Sequence, residues 1–420
     1  MREEIQLLLN LIQDAINQET PKKITYEGLD WQVFEKLVSK NQLKPLLLNP
    51  LLLLAHDQCI DMPQEQLKRW KQESFQSTIN EYKKQYQLKK IIEAGKREQV
   101  QFIVFKGCVL ADLYPKYTLR TSCDSDLLVE EKNCKKASKV LMQLNYEIYE
   151  QDSKEKVTVF IEPITKHMVE LHVSLWEDFE GEKINRLNQM ELAKESTLIT
   201  LHLNNLSVTT LGYEEHLIYQ MVHIIKHFTL QGIGIRYLVD VTLYIKKYGQ
   251  FIDYRDFWIK MDELGFGEFC EKFFSIGMHY FGLSSEIMGN RISYIGLDYE
   301  ALLTDLIDVG ICFDEKGAGW QILGIMTPYF CDDDLISSSK LGRKMRVLFP
   351  KSWELSEEYR YATKVKILLP IAWVHRYIAF LIKWCRNRQD WYTAKEKLEV
   401  AQHRLELIKS LGIAQGRKSK

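Results

Sequence analysis

The sequence predicts an α+β protein in which a small mixed sheet is held between N-terminal helices and a large C-terminal helical region. Three observations carry this expectation. Residues 1 to about 95 place apolar positions at helical spacing among good helix formers, as in "PQEQLKRWKQESFQSTINEYKKQYQLKKIIEAGKREQ". Between residues 96 and 210 short β-rich runs alternate with helical ones. From "GYEEHLIYQMVHIIKHF" onward the pattern is again mostly helical. The expected organisation is therefore 1–95, an N-terminal helical region; 96–210, the α/β core; and 211–420, a C-terminal helical domain.

Taken in order, the core begins with the β-rich run "VQFIVF" (100–105). Lys106-Gly107 follows as a turn, then the helix-like "CVLADLY", stopped by Pro115. "SDLLVE" is a second strand and "NCKKASKVLMQLN" (133–145) a helix. "YEIYE", "KVTVFIE" and "HMVELHVSLW" complete the expected strands.

The chain of 420 residues has 46% hydrophobic and 27% charged residues, which are globular values. Lys+Arg 56 against Asp+Glu 57 leaves a net charge of -1, so no global attraction to nucleic acid is expected. The eight cysteines form no CxxC pair, which argues against a zinc ribbon or a disulfide framework and suits a reducing cytoplasm. Glu3 and Glu4 stand where a signal peptide carries positive charge, so the N-terminus reads as an amphipathic helix. The apolar stretch at 43–55 is broken by Asn49-Pro50, and that at 367–382 holds Pro370, His375 and Arg376. The first is too short to span a membrane, and the second is expected to be a buried helix.

The chemistry is expected around "RTSCDSDLLV", Arg120 to Val129. Alternation along a strand sends Asp124 and Asp126 to one side. Two carboxylates pointing together repel each other unless a cation neutralises them, and Mg²⁺ takes one or two protein carboxylates plus substrate phosphate oxygens. Alone, the pair could equally be a polar turn before a strand. In "HMVELHVSLW", Val169, Leu171, Val173 and Leu175 form one face, and Met168, Glu170, His172 and Ser174 the other. Glu170 there is either a third carboxylate for a phosphoryl-transfer site or part of a solvated face. At the turn, Gly107 allows close approach of backbone to a ligand, Lys106 adds a cation and Arg120 a forked donor for phosphate.

The stretch "FIVFKGCVLADLYPKYTLRTSCDSDLLV" resembles the core of polymerase-β-superfamily nucleotidyltransferases, and is most similar to an uncharacterised bacterial family carrying "LKG…LY…R…DxDLLV". The resemblance extends to 216–245 and 346–376, most of the chain from about 95 to 385. It implies a small polymerase-β-like mixed sheet. It implies Asp124, Asp126 and Glu170 as the catalytic and metal-binding set for Mg²⁺ (or Mn²⁺), and Gly107 as the phosphate-facing turn. It implies that His223, Lys226 and His227 face the cleft and touch nucleotide or acceptor. The chain departs from the wider superfamily in having Lys-Gly-Cys where Gly-Ser is common, Ser125 where an apolar residue is commoner, and glutamate as third carboxylate.

In the helical half, His216, His223 and His227 share a stripe, with packing between helices as the alternative to ligand contact. The HExxH glutamate of a zinc protease is absent. Arg236 and Asp240, four apart, are either a surface pair or a brace for the helix closing the cleft. The acidic "CDDD" at 331–334 lies outside the core and is given no catalytic role.

The expected function is Mg²⁺-dependent transfer of a nucleoside monophosphate from a nucleoside triphosphate to an acceptor hydroxyl, releasing pyrophosphate. The acceptor (a small molecule, a peptide or tRNA) is open, and no stable nucleic-acid complex is expected. The alternatives are a phospho-alcohol transferase of the same superfold, a degenerate nucleotide-binding module and a DxD glycosyltransferase. In the last the apolar strand normally precedes the DxD, whereas here it follows.

Overall fold

The computed structural model describes residues 2–310 apart from 27, 152–155, 177–181, 231 and 295–298, and beyond them 349–352, 355, 359, 361–362, 365–386 and 405–413. The acidic stretch at 331–334, much of 346–376 and the C-terminal tail lie outside the described residues.

Four helices open the chain: α1 (Glu3–Asn17), α2 (Trp31–Lys40), α3 (Lys44–His56) and α4 (Gln64–Arg97). The Asp30 carboxylate caps α2 by accepting from the amides of Gln32 and Val33. Asn49-Pro50 does not interrupt the apolar segment as expected. α3 runs through Pro50, because Leu46, Leu47, Leu51 and Leu54 are buried and their packing outweighs the lost backbone hydrogen bond. α4 stops beside the sheet, where a Cβ on Gly95 would come within 2.6 Å of the Phe102 ring.

The core follows as β1 (Ile103–Phe105), α5 (Gly107–Ala111), β2 (Asp124–Leu128), α6 (Cys134–Gln143), β3 (Glu147–Gln151), β4 (Val157–Ile161), β5 (Met168–His172), α7 (Glu182–Gln189), β6 (Ile199–Leu203) and β7 (Leu206–Thr210). The seven strands form one mixed sheet in the order β3-β4-β5-β2-β1-β7-β6. β2 runs parallel to β5 and antiparallel to β1, and β1 runs parallel to β7. β6 and β7 extend the sheet past β1, and the sequence reading did not name them. Their signal is Asn204-Asn205, both at positive φ (46° and 68°), which make the two-residue turn of a hairpin.

The helices α8 (Tyr213–Leu230), α9 (Arg236–Tyr248), α10 (Tyr254–Glu263), α11 (Gly267–Phe281), α12 (Glu300–Asp308) and α13 (Leu369–Arg386) follow. Among the described residues no helix is long and apolar enough to cross a membrane.

Alternation along the strands divides the core into two. On one face of the sheet Val104, Leu127, Val169 and Leu171 pack with Leu88 and Ile91 of α4 and Val140 and Leu141 of α6. On the other, Ile103, Phe105 and Leu128 join a larger cluster. That cluster holds Leu8 and Leu11 of α1 together with Ile225 of α8, Val239 of α9 and Phe273 of α11. Helix α1 and helices α8 to α12 therefore share one core, and the cavity-lining face of the sheet looks into it.

Candidate active site

β2 and β5 are parallel neighbours, with Asp124 opposite Met168, Asp126 opposite Glu170 and Leu128 opposite His172. Alternation puts Asp124, Asp126, Glu170 and His172 on the face that looks toward α8. There they line a cavity of about 730 Å³. All nine residues singled out from the sequence line it: Lys106, Gly107, Arg120, Asp124, Asp126, Glu170, His223, Lys226 and His227. Strand pairing and α8 bring them together across 121 positions of sequence, from Lys106 to His227.

The turn between β1 and α5 is tighter than the glycine suggested. The positive φ falls on Lys106 (φ 56°, ψ −121°), a strained conformation for a residue with a Cβ. Gly107 follows it, and a Cβ there would sit 3.5 Å from the Asp124 carbonyl, an ordinary contact. Lys106 thus carries the strain, and its amide donates to His216 Nε2 at 3.4 Å. The bend aims its ammonium at Asp126 Oδ1, 2.8 Å away, across the rings of Phe105 and Tyr219.

Electrostatics follow from this crowding. Burial would raise the Asp126 carboxyl, but Lys106 and then His172 outweigh it and hold the group below its usual range. Burial would likewise lower Lys106, yet Asp126 holds it well above an ordinary lysine. Asp124 is raised, by burial first and then by repulsion from Asp126 and Glu170. The site therefore holds more carboxylate than Lys106 alone balances.

His172 completes the cluster and was missed as a site residue. Its Nε2 is buried 3.2 Å from Glu170 Oε2 and 3.5 Å from Asp126 Oδ1. Among the described residues, Asp126, Glu170 and His172 form the group whose donor atoms all lie within 4.8 Å of one another. Two carboxylates and an imidazole nitrogen fit a divalent cation. The sequence did contain a signal: His172 stands two residues beyond Glu170 on the same face, mirroring the spacing of Asp124 and Asp126.

Arg120 lines the cavity, but its fork is directed elsewhere. Nε and Nη2 donate to Asp240 Oδ1 and Oδ2 at 2.8 and 2.9 Å, and Nη1 donates to the Gly107 carbonyl at 3.4 Å. Tyr114 OH donates to the same Asp240 Oδ1 at 2.8 Å. Asp240 is not half of a surface pair with Arg236, since both are buried. Arg236 Nη1 instead donates to Gln42 Oε1 at 2.5 Å and to the Thr121 carbonyl at 2.7 Å, tying α9 to the α2–α3 loop and the segment before β2.

The histidines of α8 separate into two environments. His216 is fully buried behind the Lys106 turn. His223 stacks on Tyr219 (5.8 Å, 22°) and lies 4.3 Å from the His227 ring. Burial, and after it neighbouring lysines, keeps His223 and His227 well below the usual histidine value, so both are neutral near pH 7. Trp176, Tyr219 and Tyr237 add an aromatic wall that sequence reasoning did not name.

Ser125, on the opposite face, explains the small polar residue between the two aspartates. Its Oγ is 2.9 Å from His167 Nε2, and His167 Nδ1 is 2.5 Å from Tyr146 OH.

A family model described as an uncharacterised nucleotidyltransferase matches residues 27–282, well over half of the chain. The chain belongs to this nucleotidyltransferase family. It is accordingly a transferase, and the α+β class with a mixed seven-stranded sheet agrees with that assignment. The nucleotidyltransferase region includes α2 to α11 and every residue of the cavity. A search of curated proteins finds no match to this nucleotidyltransferase. Three solved structures resemble it in part. One is ANT(2″)-Ia in complex with adenylyl-2″-tobramycin: 10% identity, 43% of this chain and 95% of that chain, TM-score 0.33. The second is the solution structure of the antibiotic-resistance factor ANT(2″)-Ia: 12% identity, 45% and 92%, TM-score 0.30. The third is an antigenic nucleotidyltransferase-like protein from Paracoccidioides brasiliensis: 17% identity, 37% and 73%, TM-score 0.27.

Proposed function

We propose that this nucleotidyltransferase moves a nucleoside monophosphate from a nucleoside triphosphate to an acceptor hydroxyl by a mechanism that depends on a divalent cation, Mg²⁺ or Mn²⁺. The observation that carries this reading is the placement of Asp124, Asp126 and Glu170 on one sheet face, opposite Lys106, in a cavity of about 730 Å³. Asp124, Asp126 and Glu170 would hold the cation. When bound, it supplies charge neutralisation for phosphate oxygens.

The chain's own groups do the rest. Lys106 reaches the triphosphate with its ammonium, and the first amides of α5, which have no intrahelical acceptor, point beside it. Arg120 holds the Gly107 turn in position through its link to that carbonyl. Glu170, half-buried at the cavity wall, accepts the proton of the attacking hydroxyl. Trp176, Tyr219 and Tyr237 offer faces for a base or an apolar acceptor. His223 and His227, being neutral, serve as hydrogen-bonding partners instead of as anion sites, with Lys226 between them as the cation of that wall.

The reading is tested by pyrophosphate release from each of the four nucleoside triphosphates against small hydroxylated molecules, peptides and tRNA. Release should depend on added Mg²⁺ or Mn²⁺ and disappear in the double variant Asp124→Asn, Asp126→Asn. If that variant turns over like the unaltered protein, the proposed site is wrong. Binding of nucleotide without release would favour a regulatory module, and turnover of a CDP-alcohol in place of a nucleoside triphosphate would favour phospho-alcohol transfer.

A further inference from the structure

The three-carboxylate set leaves His172 without a task, although its nitrogen is the atom best placed among the carboxylates. We infer that His172 is itself a metal ligand, its Nε2 joining the carboxylates that hold the resident divalent ion. The inference rests on the metal dependence proposed above and deepens it by naming the donor set and the class of ion.

Three facts support it. The residue is nine-tenths buried, and its Nε2 is shut away from solvent, facing only carboxylate oxygens. The nitrogen points between two carboxylate oxygens at 3.2 and 3.5 Å. Donors about 2.1 Å from an ion and at right angles lie about 3.0 Å apart, so these separations need to close by only a few tenths of an ångström. The ring is also held in place, with its centroid 5.4 Å from that of Phe105, edge to face, and Phe105 sits in register with Asp126 on the adjoining strand.

Asp126 and Glu170 are directly opposed, with His172 and Asp124 one pleat away at opposite ends of that pair, so His172 would add a donor at the end that Asp124 does not reach. An imidazole donor also changes the preference among ions. Mg²⁺ is suited by an all-oxygen shell, whereas Mn²⁺ and the later divalent ions accept imidazole beside carboxylate. The site should therefore hold Mn²⁺ more tightly than Mg²⁺, by about tenfold or more, before any nucleotide arrives.

The test is Mn²⁺ titration of the full chain without nucleotide, followed by electron paramagnetic resonance, with and without ¹⁵N-labelled histidine. Bound Mn²⁺ should show hyperfine coupling to a histidine nitrogen that changes with the isotope. That coupling should vanish in His172→Gln. Asp126→Asn should lose the ion. His172→Gln should also reduce the preference for Mn²⁺ over Mg²⁺. Mn²⁺ bound through oxygen alone, coupling that survives in His172→Gln, or no Mn²⁺ binding overturns the inference. The isotope comparison on unaltered protein stands whether or not the variants fold. The two readings fail separately. Histidine-bound Mn²⁺ without pyrophosphate release removes the proposed reaction and keeps the ligand. Release with oxygen-only Mn²⁺ does the reverse.

Discussion

Arg120 and Asp240 are joined by a two-pronged ion pair, Nε to Oδ1 at 2.8 Å and Nη2 to Oδ2 at 2.9 Å, buried between the segment before β2 and helix α9. The pair also receives the Tyr114 hydroxyl and reaches the Gly107 carbonyl. It thereby fixes the Lys106-Gly107 turn against the helix that walls the cavity. Removing one partner leaves a buried charge uncompensated. Asp240→Ala should lose about 3–5 kcal/mol of stability in urea unfolding. The double variant Arg120→Met, Asp240→Leu should recover most of that loss while still disturbing turnover. A loss in Asp240→Ala no larger than that of a surface substitution would show that the pair does not brace the turn.

Lys106 is expected to serve two masters, the Asp126 carboxylate and the triphosphate. Lys106→Met should reduce kcat/KM by about 10²–10³-fold, the usual effect of removing one preorganised charge from a phosphoryl-transfer site. It should also leave the carboxylates more dependent on a cation. The rise in Tm on adding Mn²⁺ should therefore be larger in the variant than in the unaltered chain. An unchanged metal-dependent rise would mean that the ammonium and the ion do not share Asp126.

Acid should destabilise the protein before ordinary carboxylates titrate. Burial pushes His167 and His216 down from 6.5 to about 3. With the folded value below the unfolded one, the unfolded chain takes up the proton first. Stability is fully present above pH 6.5 and falls as pH drops from there toward 3. Each histidine contributes up to about 1.4 kcal/mol per pH unit in that window. Asp124 is raised and works in the opposite sense, so Asp124→Asn is the cleaner background. Urea midpoints in that variant should be lower at about pH 5 than at about pH 7, and equal midpoints would count against buried neutral histidines.

The shared core predicts one cooperative unit for the first and last helical regions. Leu11 of α1 is fully buried in the cluster that includes α8, α9 and α11. Leu11→Ala should cost about 2–5 kcal/mol and shift a single unfolding transition seen by every probe. A low-temperature transition limited to the first 95 residues would instead mark them as a separate folding unit.

The local order of the catalytic block was legible because each piece has a short-range cause. Leu127 and Leu128 carry the strand, alternation puts Asp124 and Asp126 on one side of it, and the same rule separates Glu170 from Leu171. The hairpin of β6 and β7 was present in Asn204-Asn205, but that it joins the sheet through β1 is not written in its local sequence. Pro50 shows the reverse: a local helix breaker is overruled by buried leucines on either side of it.

By itself the sequence pointed to the α+β class and to Lys106, Gly107, Arg120, Asp124, Asp126 and Glu170, because periodicity and motif order are local properties of the chain, while its resemblance to a nucleotidyltransferase family added His223, Lys226 and His227. Only the tertiary structure decided how those residues divide their work. Strand register set His172 beside Asp126 and Glu170. Packing of α9 against the segment before β2 turned Arg120 toward Asp240. The bend at Lys106 placed its ammonium on Asp126. Each choice depends on a partner between 20 and 120 residues away, and side-chain charge finds such a partner only after the backbone has been folded around it.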